Sequence, residues 1–197
     1  MGSLVLSIGD QLQEQIRLLE QLLGSSSLKH RVDTSVECIT TCLKQGLPLL
    51  VCGNGGSASD ALHISGELVG FFLHKRHAFN VICLNANVSV LTAWSNDVDY
   101  KSVFARQVEA HGKPGGVLWG ISTSGNSQNV IQAFKASREL GMKSIALTGE
   151  GGGKVGELCD VLIEVPSKVT PRVQELHLAV YHYICEQVEF HLSEVAV

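Results

Sequence analysis

The sequence carries no excess of positive charge: 15 lysines and arginines stand against 19 aspartates and glutamates, for a formal net charge of −4. Bulk electrostatics therefore do not draw the chain onto a nucleic-acid backbone or an anionic membrane, and any anion it binds must be held by local groups. There is no C-x-x-C pair. Six cysteines (Cys38, Cys42, Cys52, Cys83, Cys159 and Cys185) are scattered along the chain. Several lie inside apolar runs such as Leu49 to Cys52, the pattern of reduced, buried thiols in a cytosolic protein. Cys38 and Cys42 share a helix face, but no nearby ligand completes a metal set, so they read as core. No apolar run reaches membrane-spanning length, and no basic stretch followed by an unbroken apolar one marks a signal peptide. A cytoplasmic location is expected, with neither nucleic acid nor membrane as partner. Internal repeats and low-complexity tracts are also missing.

What is present is ordinary globular composition with an apolar tilt: 197 residues, 45% hydrophobic and 17% charged, with 20 glycines. That length suits one domain with a real core, and the tilt suggests subunit contacts. Leu4, Ile8, Leu12, Ile16, Leu19 and Leu23 recur at three- and four-residue steps, a helical stripe that needs something to pack on. A second helical pattern follows Gly24 to Ser27, runs to about Gln45 and stops at Gly46. Residues 1–46 are thus expected to be a helical pair, and 47–197 an α/β core. In that core, Leu49 to Cys52, Asn80 to Leu84, Val117 to Ile121, Lys143 to Thr148 and Val161 to Val165 are short continuous apolar runs. Five such buried strands with helical crossovers near 57–73, 99–111 and 126–140 imply a five-stranded parallel sheet flanked by helices. A last long helix is expected from Val169 to about Ser193.

In such sheets ligands bind beyond the carboxyl ends of the strands. After the first strand comes Gly53-Asn54-Gly55-Gly56-Ser57, whose glycines let backbone N–H groups approach an anion, with Ser57 placed to cap the next helix. After the third comes Ser122-Thr123-Ser124-Gly125-Asn126-Ser127, a cluster of hydroxyls leading into another helix. Glycine and serine are also what ordinary strand-to-helix turns are made of; it is the occurrence of two such loops in one sheet that points to a phosphate. Neither loop has the lysine of a P-loop or the G-x-G-x-x-G spacing of a dinucleotide fold, so a phosphorylated small molecule fits better than a nucleotide.

On the helix after the first loop, His63 and Glu67 stand four residues apart, on one face. Such a pair is commonly an exposed polar stripe. Here Leu62, Ile64, Leu68, Val69, Phe71 and Phe72 surround it, leaving little polar face. Gly66 costs about 1 kcal/mol in a helix interior, so something is expected to approach the backbone there. Trp94-Ser95-Asn96-Asp97 carries an Asn-Asp pair that by itself reads as a turn.

Gly-Asn-Gly-Gly-Ser at 53–57 and Ile-Ser-Thr-Ser-Gly-Asn-Ser at 121–127 resemble the phosphosugar-binding loops of sugar isomerase (SIS) domains. Leu-Thr-Gly at 147–149 and Val-Gln-Glu-Leu-His at 173–177 are similar too, and the nearest family is phosphoheptose isomerase, over about Val51 to Val188. The resemblance implies a three-layer SIS fold with sugar-phosphate contacts at Asn54, Gly55, Gly56, Ser57, Ser122, Thr123, Ser124 and Ser127. It places Asn96 and Asp97 near the sugar hydroxyls. It further implies one zinc ion per subunit, of partial occupancy, on His63, Glu67, Gln174 and His182, with Glu67 as base and His182 as acid and base. Gln174 also falls in the sugar site. The implied reaction interconverts sedoheptulose 7-phosphate and D-glycero-D-manno-heptose 7-phosphate, in a homotetramer.

Gln174 and His182 lie about 12 Å apart along an ideal helix, so one of them is expected to come from a neighbouring subunit, and His177 between them to be structural. Gly66 and Pro171 replace acidic residues of many relatives, which removes any proton-transfer role there. A non-catalytic relative of this fold binds the bacterial replication initiator. Retention of all four zinc-type residues favours the enzyme over that adaptor, and over a sensor or etherase.

Overall fold

The computed structural model describes residues 7–193. Each of the five apolar runs is a strand: β1 (Leu49–Gly53), β2 (Val81–Cys83), β3 (Val117–Ser122), β4 (Lys143–Thr148) and β5 (Val161–Glu164). All pair in parallel, in the order β2-β1-β3-β4-β5, with Leu49 opposite both Val81 and Val117, Val117 opposite Lys143, and Ile145 opposite Val161. The runs are continuous rather than alternating because both faces are covered. Leu49, Val51, Val117, Trp119 and Ile121 point into one apolar cluster, Leu50, Cys52 and Leu118 into the other.

The first cluster is closed by α1 (Ile8–Gly24), α2 (Ser26–Lys44), α3 (Gly56–Val69) and α8 (Thr170–Ser193). The second is closed by α4 (Val88–Asp97), α5 (Val103–His111), α6 (Gln128–Glu139) and α7 (Gly153–Gly156). Winding changes direction at β1, which has β2 on one side and β3 on the other. The crevice of the sheet therefore opens between the ends of β1 and β3, the two strands that carry the Gly/Ser loops.

The N-terminal pair forms as its periodicity predicts. Ser7 and Asp10 make a reciprocal capping box on α1, and Ser25 caps α2, which gives way to Gln45 and to Gly46 at φ +68°. Leu4 lies outside the described residues. The α1 stripe remains exposed: Ile8 is 72% accessible, Leu12 57%, Ile16 49% and Leu23 71%, and only Leu18 is buried.

Two expectations need correction. The segment before residue 99 holds a helix, α4, that carries no fully buried residue and packs on the second cluster only in part, through Leu91 and Trp94; Asn96 and Asp97 end it rather than forming a separate turn. Ser57 does not cap α3. Gly55, at φ +56°, is the N-cap, and Ser57 is the second helical residue, buried, with its N–H donating to the Asn54 carbonyl. A glycine in the left-handed region turns the chain two residues earlier than a serine cap would. All six cysteines are free thiols, four of them buried. Among the described residues no helix is long and apolar enough to cross a membrane.

Candidate active site and metal centre

The first loop is held open by tight packing. A Cβ on Gly56 would lie 2.1 Å from Gln174 Nε2, so the missing side chain is what lets the Gln174 amide rest on the start of α3. Asn54 is the bridge between the two loops. Its amide exchanges hydrogen bonds of 2.8 Å with Asn129 on α6, and its Oδ1 also accepts from the Tyr100 hydroxyl at 2.7 Å. In the second loop the Ser122 and Ser127 hydroxyls lie 3.1 Å apart, and Gly125 closes the turn by donating to the Ser122 carbonyl. Ser122 is buried, Thr123 half-buried and Ser124 exposed. These hydroxyls stand at the start of α6, where unpaired helical N–H groups favour an anion.

One turn into α3 the chemistry begins. His63 Nε2 lies 2.9 Å from Glu67 Oε1, the geometry that four-residue spacing gives on a helix. His182 reaches the same point from α8, its Nε2 3.5 Å from His63 Nε2. Ligand atoms of all three residues lie within 4.8 Å of one another. Ligands at about 2.05 Å on a tetrahedral zinc stand about 3.3 Å apart, and two imidazoles with one carboxylate are a familiar catalytic zinc set. The donor atoms and their spacing thus fit a metal ion. Burial lowers the pKa of His182 and the neighbouring His63 lowers it further, against the opposing pull of Glu67, so its imidazole is neutral and available as a ligand.

The ring of His182 is fixed from two sides, by Phe72 at 5.6 Å between centroids and by Tyr181 at 5.0 Å. Phe72 belongs to the segment after α3, which Glu189 of α8 holds by accepting from the backbone N–H groups of Phe72, Leu73 and His74. Arg76 pairs with Glu189 at 3.2 Å and donates to the Glu67 carbonyl, so one buried ion pair ties the end of α3 to α8.

Three of the four zinc-type side chains therefore meet within one chain. Gln174 sits instead at Gly56, two turns of α8 away from His182. Asn96 and Asp97 hydrogen-bond each other at 2.8 Å on the surface. Apart from its chain neighbours and its own helix backbone, nothing among the described residues lies within 4 Å of a Cβ built on Gly66, contrary to the expected close approach. His177 is buried against the sheet side of α8, as a structural residue would be. The sequence reading missed Asp60, Tyr181, Arg76 and Glu189. Only Asp60, one turn before His63 on α3, had a local signal that could have exposed it.

Fold and site together define a SIS-domain protein, and the SIS domain family model matches residues 12–149. A phosphoheptose isomerase of Crocosphaera subtropica is 45% identical over 181 residues, covering 92% of each chain. One of Helicobacter pylori is 43% identical over 188 residues, 94% of this chain and 98% of its own. Among solved structures, the phosphoheptose isomerase of Neisseria gonorrhoeae superposes with a TM-score of 0.86 at 39% identity, over 92% of this chain and 96% of that one. The chain belongs to the phosphoheptose isomerase family.

Proposed function

We propose that this protein is an aldose–ketose isomerase converting sedoheptulose 7-phosphate to D-glycero-D-manno-heptose 7-phosphate, the first step towards a nucleotide-activated heptose for surface glycans such as lipopolysaccharide. The observation that carries this reading is the meeting of Glu67 with two imidazoles on the helix that starts at the first Gly/Ser loop. The loops at 53–57 and 122–127 would hold the phosphate through neutral hydroxyls and helix N-termini. The Glu67 carboxylate would take the proton from C1 of the open-chain ketose and return it to C2, through an enediol. His182 would carry the hydroxyl proton between O2 and O1.

A zinc ion on His63, Glu67 and His182, with Gln174 contributed by a neighbouring subunit as a further oxygen donor, would supply Lewis-acid stabilisation of the developing negative charge. Glu67 has two oxygens and can serve both purposes. His182 Nε2 has one lone pair, so with an ion bound His182 would serve as a ligand, and its proton transfer would belong to the metal-free state.

The exposed α1 stripe, and Phe71 and Leu73 beside the site at 52% and 60% accessibility, suit burial in a homotetramer with active sites at subunit interfaces. The same reading makes the whole chain one SIS domain working in the cytoplasm. The alternative of a non-catalytic adaptor for a replication initiator is disfavoured by the retained triad.

The test is turnover of sedoheptulose 7-phosphate with and without chelator and added zinc, beside Glu67→Gln. Loss of a general base costs roughly 10²- to 10⁴-fold. Failure of the native protein to form aldoheptose phosphate in any metal condition would remove the isomerase reading.

A further inference from the structure

His63 has two ring nitrogens, and only one faces the triad. The other, Nδ1, lies 2.9 Å from the hydroxyl of Tyr181, the residue before His182 on α8. The two rings meet edge to face, 5.5 Å apart, and Tyr181 is 1% accessible, so the phenol side of this contact is buried. The Asp60 carboxyl, one helical turn before His63, faces the same hydroxyl. Its Oδ2 is buried and has no hydrogen-bond partner among the described residues. A phenol is protonated at neutral pH, so the hydroxyl has a proton to donate.

A neutral imidazole carries one proton, and where it sits decides what Nε2 can do. With the proton on Nε2, the ring donates to Glu67 and offers no lone pair to an ion. With it on Nδ1, the ring donates to the Tyr181 oxygen, the Tyr181 hydroxyl donates to Asp60, and Nε2 is a free ligand. Each group in this second arrangement has a partner, and the unpaired Asp60 Oδ2 gains a donor.

We infer that Tyr181 and Asp60 are positioning residues that hold His63 in the Nδ1–H tautomer, presenting its Nε2 lone pair to a divalent metal shared with Glu67 and His182. This rests on the metal-site reading above and adds to it a chain of donors running from α8 back to α3. Outer partners of ligating histidines typically control affinity by about 10- to 100-fold, because they set tautomer and ring orientation.

The experiment is zinc affinity of the whole protein by competition with a chromophoric chelator, for wild type, Tyr181→Phe, Asp60→Ala and His63→Ala. Tyr183→Phe, on an exposed tyrosine of the same helix, is the control. Tyr181→Phe keeps the packed ring, and a melting curve verifies the fold. The expected result is a loss of about 10- to 100-fold in Tyr181→Phe and in Asp60→Ala, a larger one in His63→Ala, and none in Tyr183→Phe. In ¹⁵N spectra of the zinc-loaded protein, His63 should show a protonated Nδ1 that exchanges faster in Tyr181→Phe. Unchanged affinity and exchange in Tyr181→Phe, with binding lost in His63→Ala, would overturn the positioning role alone. Zinc affinity unaffected by His63→Ala would overturn the metal-site reading and this inference with it.

Discussion

Replacing Glu189 by alanine should cost this protein far more than a surface ion pair would. The Glu189 side chain is 1% accessible and that of Arg76 2%, with 3.2 Å between them. The carboxylate also accepts from three consecutive backbone N–H groups, at Phe72, Leu73 and His74. Arg76 in turn donates to the carbonyls of Gly70, His77 and Glu67, and its guanidinium lies 3.7 Å above the Phe79 ring. The substitution would strand a buried guanidinium and three N–H groups together.

Breaking a buried pair by removing one partner costs about 3–5 kcal/mol, a large share of the roughly 5–15 kcal/mol that stabilises a typical domain. Urea unfolding at neutral pH, followed by tryptophan fluorescence and circular dichroism, measures it. Because the freed segment carries Phe72, which packs on His182, activity should fall even where the fold survives. Exchanging both charges, Arg76→Met with Glu189→Leu, should recover part of the stability but not the three N–H partners. A loss under about 1 kcal/mol in Glu189→Ala would refute the argument, since that is the range of exposed pairs. Burial works to raise the Glu189 pKa, but the three N–H groups and Arg76 outweigh it and leave it below the ordinary value. A depressed folded-state pKa means stability that is full above the unfolded carboxyl's pKa and is lost as pH falls towards the folded one.

His177 should add its own acid sensitivity: burial pushes its pKa down to about 4, so protonation opposes folding. Stability is full above about pH 6.5 and declines towards pH 4 by about 3 kcal/mol, a slope that His177→Met should abolish in urea titrations at pH 7.5 and 4.5. Gly56→Ala should place a methyl where Gln174 Nε2 now lies, 2.1 Å from the built Cβ; the amide must swing away, and we expect a rise in KM for sugar phosphate with an unchanged melting temperature. Leu12→Glu with Ile16→Glu, on the exposed face of α1, should lower the mass seen by light scattering, and an unchanged mass would place the subunit contacts elsewhere.

Short-range physics made much of this protein legible in its sequence. Five continuous apolar runs can only be strands buried on both faces, and their loops end in glycine and serine because a helix must start there. His63 and Glu67 meet because four residues make one helical turn, a relation that needs no tertiary contact. Helix α4 stayed hidden because it is short and none of its residues is fully buried, with Leu91 and Trp94 only partly covered by the second cluster. Packing alone decided the rest. His182 lies 119 residues from His63 and Tyr181 118, and both arrive only because α3 and α8 are laid side by side on one face of the sheet. Glu189 finds the backbone of residues 72–74 some 115 to 117 positions away by the same route. Spacing fixes which side chains share an element; the crossing of two elements fixes which of them share a proton or an ion.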